Sequence, residues 1–265
     1  EAVVSNDRAI QADRVYLANE GAMNFHTLSR IHNFHLKIYA SLFLGQYNSA
    51  MEAAEELTAT TPEALLRIES PAMADWMEAY FGMKAHIFIR FGKWQEIINE
   101  ALPGDPDLYR MTTAVWHYAK TIAHAALGNV SAAVEQSLLF YQAVSQVPES
   151  RYLFNNSCLD ILKIAEQMML GEIEYRRQNY EVAYDHLSQA VELDDNLKYD
   201  EPWGWMQPAR HALGALLLEQ GHVKKAKQVY LDDLGLSSTL VSISHHTDNL
   251  WSLHGLVECL ELEGD

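Results

Sequence analysis

The residues best suited to chemistry in this chain are its histidines, of which there are 12. The segment "RIHNFHLKIY" places His32 and His35 three residues apart in an apolar run, with His26 six positions upstream of His32. On a helix, residues three apart share a face, so both imidazoles could reach one ion. Neutral imidazole suits Zn, Cu or Fe. The segment has no HExxH spacing, so it does not read as a helical zinc protease. Proton transfer is the other chemistry open to histidine near neutral pH. Either His32 or His211 beside Glu172 would supply an acid–base pair. No nucleophile elbow, P-loop or dinucleotide fingerprint occurs, and the glycines of "GALLLEQG" fall inside a helical run.

The elements that must carry these residues follow from five turns of one pattern. "GQY" (45–47), "GKW" (92–94), "GNV" (128–130), "QNY" (178–180) and "GHV" (221–223) read as one pattern of a small residue, a polar one and then a bulky one, with Gln178 in the place of the small residue in the fourth. Five positions after each leading residue stand Ala50, Ile97, Ala133, Ala183 and Ala226, where a small residue lets a second helix lie close to the first. Apolar residues recur at three- and four-residue spacing on both sides of each turn, the mark of amphipathic helices. The chain therefore reads as antiparallel helix pairs in series.

Two units, "LGEIEYRRQNYEVAYDHLSQAVELDD" and "LGALLLEQGHVKKAKQVY", resemble tetratricopeptide repeats (TPRs) in Gly171, Tyr180, Ala183 and Ala190, and in Gly214, Gly221 and Ala226. The turns are 47, 36, 50 and 43 residues apart, longer than the repeat of about 34 usual for TPRs. Taken with "HNFH", "WHYA", "YDEPWGW" and "NLWSLHGL", the whole resembles the C-terminal part of long bacterial and fungal TPR proteins of unassigned role. The resemblance implies an all-α fold: TPR-like repeats stacked into a right-handed superhelical solenoid with a concave groove. One domain is expected over 1–265. It comprises a half-repeat at 1–20, helix pairs at about 30–66, 72–102, 106–147, 156–195 and 202–235, and a terminal helix at 248–263. An upstream stretch of chain or a partner is expected to cover the N-terminal half-repeat.

The turns also supply a register. Ten residues before Gly45, Gly221 and Gly264 lie His35, His211 and His254, while the other units carry Gly82, Tyr118 and Met168 there. Offsets of 13, 10 and 6 form one stripe. In TPR proteins the first helices line the concave face, so the resemblance puts this stripe in the groove. The expected ligand groove is His32, His35, Tyr39, His86, Tyr118, Glu172, Tyr175, Arg176, His211, Trp251 and His254. The expected function is a TPR-type interaction or ligand-binding module, holding a peptide segment, a protein partner or a small ligand. The alternative is a metal-dependent protein, conceivably an enzyme, with Cu, Zn or Fe on His32, His35, His211 and His254. Against it, units one and five lie far apart in an open superhelix. The chaperone-tail clamps of some TPR domains use lysine and asparagine on this stripe, which here carries His, Tyr, Met and Gly.

Composition limits the partners. A net charge of −17 repels phosphate backbones, so no nucleic acid is expected. No apolar stretch reaches 18 residues, so no membrane span is expected. Cys158 and Cys259 stand alone, which fits a reducing, cytoplasmic compartment. In "YDEPWGW", Asp200 and Glu201 precede Pro202 and read as the first turn of a helix. Trp203 and Trp205 are expected to pack between units, with a stacking platform over the groove as the other role open to them. Lys224, Lys225 and Lys227 read as solvated surface.

Overall fold

The computed structural model describes residues 1–264 and is all-α apart from one two-residue hairpin. The helices are α1 (Ala2–Glu20), α2 (His26–Phe43), α3 (Tyr47–Thr60), α4 (Glu63–Leu66), α5 (Met73–Met77), α6 (Met83–Arg90) and α7 (Trp94–Asn99). They continue with α8 (Arg110–Ala126), α9 (Val130–Val144), α10 (Cys158–Arg176), α11 (Tyr180–Asp195), α12 (Ala209–Glu219), α13 (Val223–Asp233) and α14 (Leu250–Glu263). Strands β1 (Tyr152–Leu153) and β2 (Asn156–Ser157) pair antiparallel just before α10. Among the described residues no helix is long and apolar enough to cross a membrane.

The five turns share one geometry. Gly45, Gly92, Gly128, Gln178 and Gly221 all have positive φ, between 63° and 80°. After each, the next amide N–H reaches back five residues: Gln46 to Ser41, Lys93 to Phe88, Asn129 to His124, Asn179 to Glu174 and His222 to Leu217, at 2.8–2.9 Å. This left-handed cap satisfies the orphan carbonyls at the end of the first helix and launches the second. Ala50, Ile97, Ala133, Ala183 and Ala226 have no exposed surface at all.

The second unit departs from a plain pair. Its first helix is broken into α5, a 3-10 turn at Glu78–Gly82, and α6. The break follows from Glu78, which is fully buried and turned away from its own helix. Its carboxylate accepts from the Met111 and Thr112 amides at 3.1 and 2.7 Å and from Arg151 Nη1 at 2.6 Å. A carboxylate on free N–H groups is what the N-terminus of α8 requires, and α8 has no capping side chain of its own.

The segment 197–208 is not helical. Asp200, expected in a helical first turn, instead holds this loop on the β hairpin. It accepts from the Asn155 amide (3.1 Å), Asn155 Nδ2 (3.0 Å) and Asn156 Nδ2 (2.8 Å). The helix begins later, at Ala209, and the carboxylate that meets its first amide is Asp194, at 3.0 Å.

The first and last units touch. Trp251 Nε1 of α14 donates to the Leu42 carbonyl of α2 at 2.7 Å. The Trp251 ring lies edge-on to Phe91 at 6.0 Å, and Phe43 lies 5.3 Å from His246 and 6.1 Å from His211. The wide separation expected between units one and five is therefore corrected, because α14 and the His211–His246 side of the last units pack directly against α2.

Candidate functional site

The closing-up has a chemical result along the inner helices. A cavity of about 580 Å³ remains among α6, α7, α8, α10, α12 and α14, floored by the 197–208 loop. Six residues of the expected groove line it: Tyr118, Glu172, Arg176, His211, Trp251 and His254. They arrive from four helices, so the repeat register, not any local motif, brings them together.

The other five lie elsewhere. His35 is fully buried, with Nε2 3.0 Å from Met206 Sδ and its ring edge-on to Tyr80 at 5.2 Å. His86 packs edge-on to Trp205 at 5.1 Å. His32 lies against Phe154 at 4.7 Å, and Tyr39 against Phe43 at 4.7 Å. Tyr175 is buried, and its hydroxyl accepts from Gln220 Nε2 at 2.8 Å. The physical reason for the first three is one insertion. Phe154, Trp205 and Met206 occupy the space in front of His32, His35 and His86, so part of the stripe is core.

Burial fixes the protonation of these imidazoles. It pushes His35 down to about 3 and His86 down to about 4, so both are neutral near pH 7. His211 also falls to about 4, first through burial and then through the neighbouring Arg90 charge, against the pull of Asp233.

A polar chain runs through His211. Arg90 Nη2 donates to His211 Nδ1 at 2.7 Å, and arginine can only donate, so Nδ1 is the unprotonated nitrogen. His211 Nε2–H then donates to Asp233 Oδ2 at 2.9 Å. Asp233 is fully buried, and burial alone would raise its pKa. Hydrogen bonds from His211 and His246 (2.9 Å) instead hold it far below the carboxylate range, and Asn249 Nδ2 (2.9 Å) and Ser252 Oγ (2.6 Å) also donate to it. This ionised carboxylate ties α12, α13 and α14 into one rigid wall.

Both nitrogens of His211 are thus engaged, His35 is sealed in the core, and His254 is exposed. Among the described residues no three His, Cys, Asp or Glu side chains form a group that could hold a metal ion. The four histidines considered as ligands do not fit Cu, Zn or Fe. The same engagement removes His211 as a free base beside Glu172. Glu172 itself pairs with Arg176 at 2.8 Å, and burial raises its pKa.

Arg90 is the central residue that sequence reading missed. Its guanidinium lies 4.5 Å over the Trp251 ring, and its Nε is buried without an acceptor. Burial lowers its pKa to about 9. Trp94, Trp205 and Gln207 complete the inner lining, and Glu219 and Glu258 lie on the exposed rim. An arginine in the last turn of a helix reads as ordinary dipole compensation. Only the contact between α6, α12 and α14 gives it another meaning. Trp205, expected to pack between units, is buried in the core and also lines the cavity.

Comparison with models of known protein families, with curated proteins and with solved structures finds no significant match. The functional reading rests on this geometry.

Proposed function

We propose that this chain is a TPR-like helical-repeat binding module that holds a small organic ligand in its inner cavity. The repeat assignment is part of the proposal. Five turns of one geometry and five sealed contact positions support it.

The observation that carries the ligand reading is the cavity itself. Pockets for small molecules are concave, largely apolar, and hold a few convergent polar groups, in the range of about 300–1,000 Å³. Here Trp94, Tyr118, Trp205 and Trp251 supply flat apolar walls, and Arg90 and Gln207 supply donors. The inner surface of stacked repeats is also where such proteins bind. A small ligand suits this enclosure better than an extended peptide, because the 197–208 loop fills the remainder of the stripe.

Ala215 lies on the cavity wall with its methyl group exposed. Replacing it by Trp fills the space without disturbing a hydrogen bond. A panel of a few hundred small organic molecules screened by thermal shift is expected to yield compounds that stabilise the parent chain and not Ala215→Trp. If no compound does so, or the variant responds equally, the reading is wrong.

A further inference from the structure

The ligand class can be narrowed, on the premise that the cavity binds a small molecule. Three features bear on it. The first is an arginine with donors to spare. A guanidinium has five N–H groups, and the hydrogen bond of Arg90 to another residue goes to His211 Nδ1. Its Nε is buried with no acceptor, and among the described residues no carboxylate pairs with it. The nearest negative charge, Asp233, is held behind His211 and already takes four side-chain donors. A half-buried cation whose Nε is sealed without an acceptor favours something anionic beside it.

The second feature is the charge farther along the wall. Glu219 lies eight residues beyond His211 on α12, and Glu258 seven beyond Trp251 on α14. At 1.5 Å per residue these carboxylates stand about 10–12 Å along the helices from the Arg90 level. Glu172 adds a third carboxylate, balanced by Arg176. One uncompensated cation inside and an acidic rim accept a single negative charge and repel a double one.

The third feature is shape. Arg90 stacks on Trp251, and Trp94 and Trp205 face the same space. Flat apolar walls around one guanidinium match a planar hydrocarbon that ends in a planar anion.

We infer that the cavity binds a monoanionic carboxylate with a flat apolar body, its carboxylate anchored by Arg90 and its body held among Trp94, Trp205 and Trp251.

Three isosteric probes test the inference by titration calorimetry: 2-naphthylacetate, its neutral amide 2-naphthylacetamide, and the dianionic 2-naphthyl phosphate. The acetate is expected to bind at least tenfold more tightly than either of the others. Arg90→Met should remove the preference for acid over amide, and Arg90→Lys should keep part of it. The Glu219→Gln, Glu258→Gln double variant should improve phosphate binding several-fold and leave the amide unchanged. The acid-to-amide ratio of the parent chain needs no variant, so a misfolded Arg90→Met does not remove the test. Equal binding of acid and amide, tighter binding of the phosphate, or no binding of any probe overturns the carboxylate assignment. If acid and amide bind equally and Ala215→Trp abolishes both, the cavity still binds small molecules and only the anchor is wrong. If no probe binds and the thermal-shift panel gives no compound sensitive to Ala215→Trp, both readings fail.

Discussion

Trp251 Nε1 donates to the carbonyl oxygen of Leu42 across 209 positions of sequence, joining the last helix to the first inner one. The Leu42 carbonyl lies in the last turn of α2, where it also accepts from the Gly45 amide at 3.3 Å. The same indole carries the Arg90 guanidinium on its face. Closure of the array and the cation of the cavity therefore depend on one side chain.

Trp251→Phe separates the two roles. The ring survives for Arg90 and Phe91, and the hydrogen bond is lost. A destabilisation of about 1 kcal/mol is expected in urea unfolding, the usual worth of such a bond. Trp251→Ala removes the ring as well and should lose about 2–4 kcal/mol, less than a fully buried tryptophan because Trp251 is half-buried. Were Trp251→Phe as stable as the parent, closure would not rest on this bond.

Acid should destabilise the fold before its carboxylates are neutralised. His35, His86 and His211 titrate at about 3, 4 and 4 in the folded chain, against about 6.5 when unfolded. Between pH 6.5 and 4 the unfolded chain binds protons that the folded chain does not, so stability falls as pH falls. Their contribution is complete above pH 6.5 and is lost toward pH 4, on the order of 10 kcal/mol for the three. Asp194, raised to about 7 by burial, has the opposite sign: its contribution is present at low pH and lost as pH rises through 7. Glu172 and Asp200, also raised by burial, act with Asp194, and His32, His117 and His124, also lowered by burial, act with the three histidines. His86→Phe should flatten the pH dependence, measured by urea unfolding at pH 7 and pH 5. An unchanged slope would show that His86 titrates normally in the folded protein.

Much of this was legible in the residues, and the division has a physical cause. The turns at Gly45, Gly92, Gly128, Gln178 and Gly221, and the small contact positions behind them, follow from backbone conformation and helix periodicity, which act over a few residues. The cavity-facing positions of Tyr118, Glu172, His211, Trp251 and His254 follow from the register, because a constant offset keeps a constant face, and Arg176 follows Glu172 one turn along the same helix face. His35 and His86 satisfied that register and still became core, since Trp205 and Met206 enter from a loop that carries no periodicity. Arg90, Asp233 and the contact of α14 with α2 depend on packing between segments far apart in sequence, and no local pattern encodes it.

Gly255 shows how closely the last units are fitted. A Cβ built there would lie 2.2 Å from Tyr230 Cζ, and one at Gly214 would lie 2.7 Å from Tyr230 Cε1. Tyr230 is clasped between α12 and α14 by two glycines. Gly255→Ala should destabilise by about 1–3 kcal/mol through overpacking. Tyr230→Leu frees space on that side, so the double variant should recover part of the loss of Gly255→Ala measured in the parent background. Simple additivity of the two losses would show that the alanine is accommodated elsewhere.

Gln178 offers a test in the stabilising direction. Its turn matches the other four, yet it holds φ at 66° with a side chain where they have glycine. The left-handed conformation costs an ordinary L-residue roughly 1–2 kcal/mol. Glycine avoids that strain but gains about 0.4–1 kcal/mol of conformational freedom when unfolded, which offsets part of the benefit. The Gln178 side chain is exposed and makes no hydrogen bond among the described residues, so little else is lost. Gln178→Gly is expected to stabilise the fold by about 0.5–1 kcal/mol, and Gln178→Asn by less, since asparagine tolerates this region better than glutamine. Gln178→Ala keeps the strain and should show no gain. The order Gly, Asn, then Ala in urea midpoints would establish backbone strain as the cause, and a gain with alanine equal to that with glycine would refute it.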